Sequence, residues 1–395
     1  MFSSLQAQPA DPILGLTVQF KADSNPHKLN LGPGIYQDEA GLTPVLGCVK
    51  AAEQHRVDSE TTKAYINSAG SALFNKKITA LNFGDHRVIH ENRVRTVSTP
   101  GGTGALRIAG ELIRTCRAGA AIWVSNPTWA NHAGVFSAAG LQVRSYPYYD
   151  HDNKCLDFDN MMAALQQVPA DDAVLLHASC HNPSGMDLSP AQWRQVAELA
   201  AKAGFLVVID MAYQGFGAGL EEDAYGPRLV ADTVDEMILC SSCSKNFGLY
   251  RERIGACSVI GSSAAAADII NSVLLPIVRV NYSMPPAHGA AIVETILDSA
   301  ELTAQWHAEL AQMRQRIGAM RQLLVQRLLA HGVTRDFSFI TAQNGMFSFL
   351  GIDSEQVQRL QDEFSVYLVG SSRISIAAIA PDNVDYLAQS IASVL

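Results

Sequence analysis

Lys245 is the residue in this chain best placed to do covalent chemistry. It lies in Ser241-Ser-Cys-Ser-Lys-Asn-Phe-Gly248, after the apolar run Met237 to Cys240, among the hydroxyls of Ser241, Ser242 and Ser244, with Arg251 and Arg253 just beyond. A lysine that is desolvated and flanked by cations has its pKa lowered, which frees an amine to attack carbonyls and form a Schiff base. The plainer alternative is a helix-start lysine after a buried strand. Asp210 ends the apolar run Phe205 to Ile209, and a carboxylate there must be paired or hydrogen-bonded. It suits a salt bridge, a helix cap, or a partner for a cationic nitrogen such as a protonated pyridine. Three residues on, Tyr213 brings a phenol toward that same group. Trp129, in Asn126-Pro-Thr-Trp-Ala-Asn-His132, serves either core packing or stacking on a planar group.

Thr99-Pro-Gly-Gly-Thr-Gly-Ala105 is a glycine-rich turn running into a helical pattern. Free N–H groups and the dipole at a helix start bind phosphate, and glycine lets the backbone approach; a plain turn explains the segment as well. It fits neither the Walker pattern nor GxGxxG. Arg253, Arg279 and Arg373 flank strand-like or Pro-containing segments. Arginine offers bidentate geometry to carboxylate or phosphate, although any one of them singly suits a structural ion pair. Cys240 and Cys243 form a CxxC, which His177, Cys180 and His181 could complete as a zinc set. The lack of a second CxxC, and the place of Cys240 inside an apolar strand, favour buried structural thiols and no metal.

These residues need a frame. Short apolar strands alternate with helical patterns through the middle of the chain, at Ala121–Ser125, Ala173–His177, Phe205–Asp210, Met237–Ser241 and Gly255–Ile260. That alternation predicts an α/β fold with a mostly parallel sheet covered by helices. Ser189, Pro190 and Gln192 mark a capping box, Trp193, Val196, Ala197 and Ala200 an apolar face, and Gly204 a stop. Functional groups in such sheets gather beyond the strands' carboxyl ends, which selects Trp129, Asn182, Asp210, Tyr213 and Lys245. After about Asn271 the pattern turns helical, with one or two long helices over Glu301 to His331. A mixed α+β segment follows: strand Met346–Leu350, helix Ser354–Phe364 and strand Arg373–Ala377. The 395 residues exceed one comfortable core, so two domains are expected. A net charge of -9 argues against nucleic acid or an anionic membrane as partner. No apolar run of membrane-spanning length and no leader peptide is read, and seven scattered cysteines suit reduced thiols in the cytoplasm.

Taken together, the motifs Asn30-Leu-Gly-Pro-Gly-Ile-Tyr36, Thr99 to Leu106, Val124 to Trp129, Cys180-His-Asn-Pro-Ser-Gly185, Asp210 to Phe216, Ser244 to Tyr250, Asn281 to Pro286 and Gln343 to Ser348 are recognisable. From Asp11 to its end the chain resembles the class I pyridoxal-phosphate aminotransferases, in particular the bacterial aspartate and aromatic enzymes. The resemblance implies the fold type I architecture of pyridoxal-phosphate-dependent transferases. An arm at 1–12 packs on a partner subunit, a large cofactor-binding domain spans 44–312, and a small α+β domain comprises 13–43 and 313–395. It implies that Lys245 carries pyridoxal 5′-phosphate and shuttles the substrate proton, and that Asp210, backed by His132, keeps the pyridine nitrogen protonated. Tyr213 and Asn182 bond the ring's phenolate oxygen, and Trp129 stacks on the ring. Gly102, Thr103, Ser242 and Arg253 cradle the phosphate, with Tyr65 from a second subunit.

Among substrate contacts, the resemblance implies Arg373 for the α-carboxylate, with the Gly34 region, Trp129 and Asn182, and the partner's Arg279 for a distal carboxylate. The implied assembly is a homodimer with shared sites, acting on amino acids and 2-oxo acids. The expected reaction moves an α-amino group between aspartate and 2-oxoglutarate. Departures at Pro33, Met284 and 66–70 flank the substrate pocket and leave aromatic donors open. An aromatic-amino-acid aminotransferase with aspartate as minor substrate, a β-decarboxylase or lyase, or a silent binding protein of the same fold, are the rival readings.

Overall fold

The computed structural model describes residues 2–4, 6–7 and 12–395. Half of the expected N-terminal arm, residues 1, 5 and 8–11, therefore lies outside the described residues. The chain divides into two compact units, a large one of Pro44–Gln315 and a small one of Met1–Thr43 with Arg316–Leu395.

The large unit is built on seven strands: β1 (Val94–Pro100), β2 (Ala121–Asn126), β3 (Gln142–Pro147), β4 (Ala173–His177), β5 (Leu206–Met211), β6 (Met237–Ser242) and β7 (Ile254–Ile260). They pair in the order β1-β7-β6-β5-β4-β2-β3. Only β7 runs antiparallel to its neighbours. The five inner strands are those their apolar runs predict, because a parallel strand buried on both faces reads as continuous Val, Ile and Leu. The two edge strands escape that test. β1 reads Val-Arg-Thr-Val-Ser-Thr-Pro and β3 reads Gln-Val-Arg-Ser-Tyr-Pro, so neither has an apolar run to announce it.

Register decides which side chains meet. His177 pairs with Asp210 across β4 and β5, while Gly255 on β7 pairs with Ser242 on one side and Thr99 on the other. The helix Gly101–Cys116 starts where β1 ends and buries Ala105, Leu106, Ile108, Ala109, Leu112 and Ile113. These side chains share a core with Ile122, Leu175, Val208 and Ile238 of the sheet. The helix Pro190–Ala203 has the anticipated reciprocal Ser189/Gln192 box and ends at Gly204 in the left-handed conformation.

In the small unit Leu29–Asn30 pairs parallel with Val366–Tyr367, and Phe347–Phe349 pairs antiparallel with Arg373–Ser375. The second of these strands stops two residues earlier than its sequence suggests, because Ile376–Ala378 coils into a 3-10 turn. Ser354–Phe364 is helical as expected, capped by Asp353 and Gln356. Glu301 to His331 resolves as one helix, Ala300–Ala330.

The helix Ala264–Tyr282 corrects one point of the sequence reading, that no apolar run reaches membrane-spanning length. It begins seven residues before the helical pattern becomes plain at Asn271, and it is long and apolar enough to cross a membrane by length and composition, with mean hydropathy 1.3. Only 17% of that stretch is buried, and Ile269 and Val280 are exposed.

A Cβ on Gly255 would come within 2.5 Å of the Gly101 carbonyl carbon and 2.7 Å of the Ser241 oxygen, both backbone atoms that cannot swing away. Gly255→Ala should therefore lower unfolding stability by about 1–3 kcal/mol, as overpacking does, read as a reduced denaturant midpoint. An unchanged midpoint would contradict this close approach.

Candidate active site

The carboxyl ends of β1, β2, β4, β5 and β6, with the amino end of antiparallel β7, lie along one edge of the sheet and carry the reactive side chains. At β1, β6 and β7 they form a cradle. Arg253 has φ 58°, an uncommon conformation for a residue with a Cβ. Its Nη1 donates to the Tyr250 oxygen at 2.9 Å and toward Ser244 Oγ at 3.4 Å. A Cβ on Gly101 would lie 2.3 Å from Arg253 Nη2, and one on Gly102 would lie 3.1 Å from Ser242 Cβ. Glycine thus leaves room where a guanidinium, two serine hydroxyls and the N-terminus of a 16-residue helix converge, next to Thr103. This donor set fits a phosphate group.

Asp210 is buried at the end of β5. Its Oδ2 lies 3.0 Å from His132 Nε2, His132 Nδ1 lies 2.7 Å from Thr128 Oγ1, and Thr128 Oγ1 lies 3.3 Å from His177 Nε2. The Asn182 N–H donates to His177 Nδ1 at 3.4 Å. The two ends fix the direction, since an ionised carboxylate only accepts and a backbone N–H only donates. Asn182 N–H therefore donates to His177, His177 Nε2–H to Thr128, the Thr128 hydroxyl to His132, and His132 Nε2–H to Asp210. Burial alone would raise the Asp210 pKa, but the His132 hydrogen bond, with Lys245 nearby, holds it below the usual carboxylate value. Burial pushes His177 down to about 3 and His181 well below its ordinary value, which leaves both imidazoles neutral. His181 bridges Ser125 and Ser184 at 2.9 and 2.8 Å and stacks on Tyr148.

Lys245 follows β6 by three residues, and its Nζ lies 4.7 Å from the centre of the Tyr213 ring. Burial lowers its pKa; Asp210 opposes that shift and Arg253 reinforces it. The loop is held from behind. Phe247 stacks on Trp306 at 4.3 Å, and Trp306 Nε1 donates to the Asn246 oxygen at 2.7 Å. Trp129 stands edge-on to His132, with ring centres 5.2 Å apart.

Lys245, Asp210, Tyr213, Trp129, His132, Asn182, Gly102, Thr103, Ser242 and Arg253 all sit on this edge of the large unit. Tyr65 and Arg279 do not join them in the described contacts: Tyr65 is 94% exposed, and Arg279 is exposed on the helix Ala264–Tyr282. Gly34 and Arg373 belong to the small unit, where both meet Phe347. The Arg373 guanidinium lies 4.3 Å from that ring's centre, and a Cβ on Gly34 would reach within 2.6 Å of its Cζ. Sequence reasoning missed Thr128 and saw His177 and His181 only as metal ligands. Their ring nitrogens are engaged by hydroxyls and the backbone, and burial pushes the Cys240 and Cys243 thiols up, so neither is a thiolate. Among the described residues no cluster of three or more His, Cys, Asp or Glu is set to hold a metal.

Fold and site together give an α/β protein with a donor set that fits phosphate on the same sheet edge as a buried lysine of lowered pKa. The family model for class I and II aminotransferases matches residues 26–391. Aspartate aminotransferase of Salmonella typhi is 51% identical over 396 residues, covering the whole of both chains. Aromatic-amino-acid aminotransferase of Pseudomonas aeruginosa is 47% identical, covering 100% of this chain and 98% of that one. The crystal structure of aromatic-amino-acid aminotransferase from Burkholderia pseudomallei, covalently bound to pyridoxal phosphate, matches with a TM-score of 0.98 at 45% identity, covering 100% of this chain and 99% of that one. This chain belongs to the class I and II aminotransferases.

The Asp210 environment has a consequence for pH. A carboxylate whose folded pKa is lowered contributes stability that is present above its unfolded value, about 3.9, and lost as pH falls through the folded value. The stability difference between wild type and Asp210→Asn should stay level from about pH 8 to about pH 5 and shrink below that. Denaturant titrations across pH measure it; a difference that grows on acidification would contradict an ionised Asp210.

Proposed function

We propose that this enzyme moves the α-amino group of aspartate, and secondarily of aromatic amino acids, to 2-oxoglutarate, with pyridoxal 5′-phosphate held in the large unit. The observation that carries the reading is a lysine with a lowered pKa beside a buried aspartate that a chain of donors keeps ionised. When bound, the cofactor supplies a reactive aldehyde and a pyridine ring that accepts the electron pair released at the substrate Cα.

The chain's own residues do the rest. Arg253, Ser242 and the helix start at Gly102 and Thr103 would hold the phosphate, and Trp129 would offer a face for the ring. Asp210 would keep a proton on the pyridine nitrogen, which an unpaired neutral acid could not do. Tyr213 and Asn182 would serve the ring's phenolic oxygen. Lys245, as a free amine, would take the proton from the substrate Cα and return it, a role that needs its low pKa. Arg373 receives the α-carboxylate through a bidentate guanidinium, beside Gly34.

The active assembly is a homodimer. In support, Tyr65 and Arg279 are exposed, and so is the apolar surface of Ala264–Tyr282 around Ile269 and Val280. A second copy covers that surface and brings Tyr65 to the phosphate and Arg279 to a distal carboxylate. Seven free cysteines fit action in the reducing cytoplasm.

Lys245→Ala should abolish turnover, and Arg279→Ala should cripple aspartate turnover. Mixed and allowed to exchange subunits, the two variants should regain activity, because one hybrid site draws both intact residues. A fully active monomer would rule out shared sites. Specificity is tested by kcat/KM for aspartate, tyrosine and phenylalanine in wild type and Arg279→Leu. We expect aspartate activity to collapse in the variant while aromatic activity persists. A wild-type preference for tyrosine over aspartate of about tenfold, ~1.4 kcal/mol, would reverse the substrate order, an outcome that the resemblance to aromatic-amino-acid aminotransferases makes worth measuring.

A further inference from the structure

Arg321 is a buried guanidinium of the small unit that the proposed chemistry does not use. It projects from the helix Ala300–Ala330 into the segment 340–348 and binds it through main-chain oxygens. Nη1 donates to the Ile340 oxygen at 3.0 Å and to Ser348 Oγ, and Nη2 donates to the oxygens of Asn344 at 3.1 Å, Gly345 at 2.8 Å and Phe347 at 2.7 Å. Ser348 passes its own hydroxyl hydrogen to Gln343 Oε1. Five oxygens from nine residues of chain converge on one fixed fork. A planar cation with set donor directions specifies the path of that segment more tightly than a lysine point charge could.

The held segment leads directly to Arg373. Phe347–Phe349 pairs antiparallel with Arg373–Ser375, with Phe347 opposite Ser375 and Phe349 opposite Arg373. The Phe347 ring underlies the Arg373 guanidinium and abuts Gly34, while Arg373 Nη2 donates to the Gly32 oxygen. A shift of the Phe347 backbone moves both the ring that Arg373 rests on and the strand that carries it. We propose that Arg321 is a positioning residue for the carboxylate-binding arginine, acting through Phe347; this rests on Arg373 being the α-carboxylate anchor.

A misplaced anchor penalises every donor alike, because all share the α-carboxylate. The test uses the full-length enzyme loaded with cofactor. Steady-state KM and kcat for aspartate and tyrosine, together with the dissociation constant of maleate, are compared for wild type, Arg321→Gln, Arg321→Lys, Ser348→Ala and Arg373→Lys. Arg321→Gln should raise both KM values by a common factor of about ten and weaken maleate similarly, with kcat within about threefold. Arg321→Lys should recover only part of this, since it lacks the fork. Should Arg321→Gln fail to fold, Ser348→Ala decides, with an expected common rise of about threefold, part of the value of one hydrogen bond. Unchanged KM values and maleate affinity in the folded variants, alongside a large effect of Arg373→Lys, would overturn the positioning role alone. No effect of Arg373→Lys would overturn the anchor itself, and the positioning role with it.

Discussion

The hydrogen bond from His132 Nε2 to Asp210 Oδ2 is the contact on which the site's chemistry rests. Burial acts on Asp210 and Lys245 in the same sense: it disfavours charge on each and by itself would leave both neutral. The proposed chemistry needs that outcome at Lys245 and its opposite at Asp210. The relay from Asn182 through His177, Thr128 and His132 supplies the difference, because each hydrogen bond polarises the next toward the carboxylate. The relay needs a neutral imidazole at His177, and burial pushes its pKa to about 3 to provide one. A water-filled pocket would relax both shifts, so the tight packing of Trp129, Phe247 and Trp306 is part of the electrostatics.

Both units solve the problem of seating a guanidinium with the same device. In the large unit Arg253 closes on Gly101, where a Cβ would collide with Nη2. In the small unit Phe347 closes on Gly34 and supports Arg373 from its face. An arginine that must present its donors to an anion has to be held without spending those donors. Ring faces and missing side chains do this, whereas a carboxylate partner would compete with the ligand.

What the chain disclosed by itself follows from burial. The inner strands were legible because a buried strand leaves an apolar run, and Lys245 drew notice as a lone charge three residues beyond one of them. The Pro190–Ala203 helix was legible because its stop and start signals are local in sequence. The relay was not, because Thr128, His177 and Asp210 lie far apart in the chain and only the β4–β5 register and the loop after β2 unite them. His177, His181 and the CxxC carried a metal-like spacing whose nitrogens and thiols are committed elsewhere. Tyr65 drew attention only through resemblance and Arg279 only as one of three candidate arginines: an exposed tyrosine and an exposed arginine mean little until a second chain is considered. The helix Ala264–Tyr282 was underestimated because Asp268, Pro276 and Arg279 interrupt its apolar residues and hide their continuity.

The central claim is that one lysine, and no exposed competitor, is poised to capture an aldehyde because its amine is desolvated opposite an ionised aspartate. Borohydride reduction of the protein mixed with pyridoxal 5′-phosphate, followed by peptide mass mapping, tests it most directly. The account predicts a single stoichiometric pyridoxyl label on the peptide containing Lys245, formed at neutral pH, where surface lysines are protonated. A label spread over exposed lysines, or absent from Lys245, would contradict it.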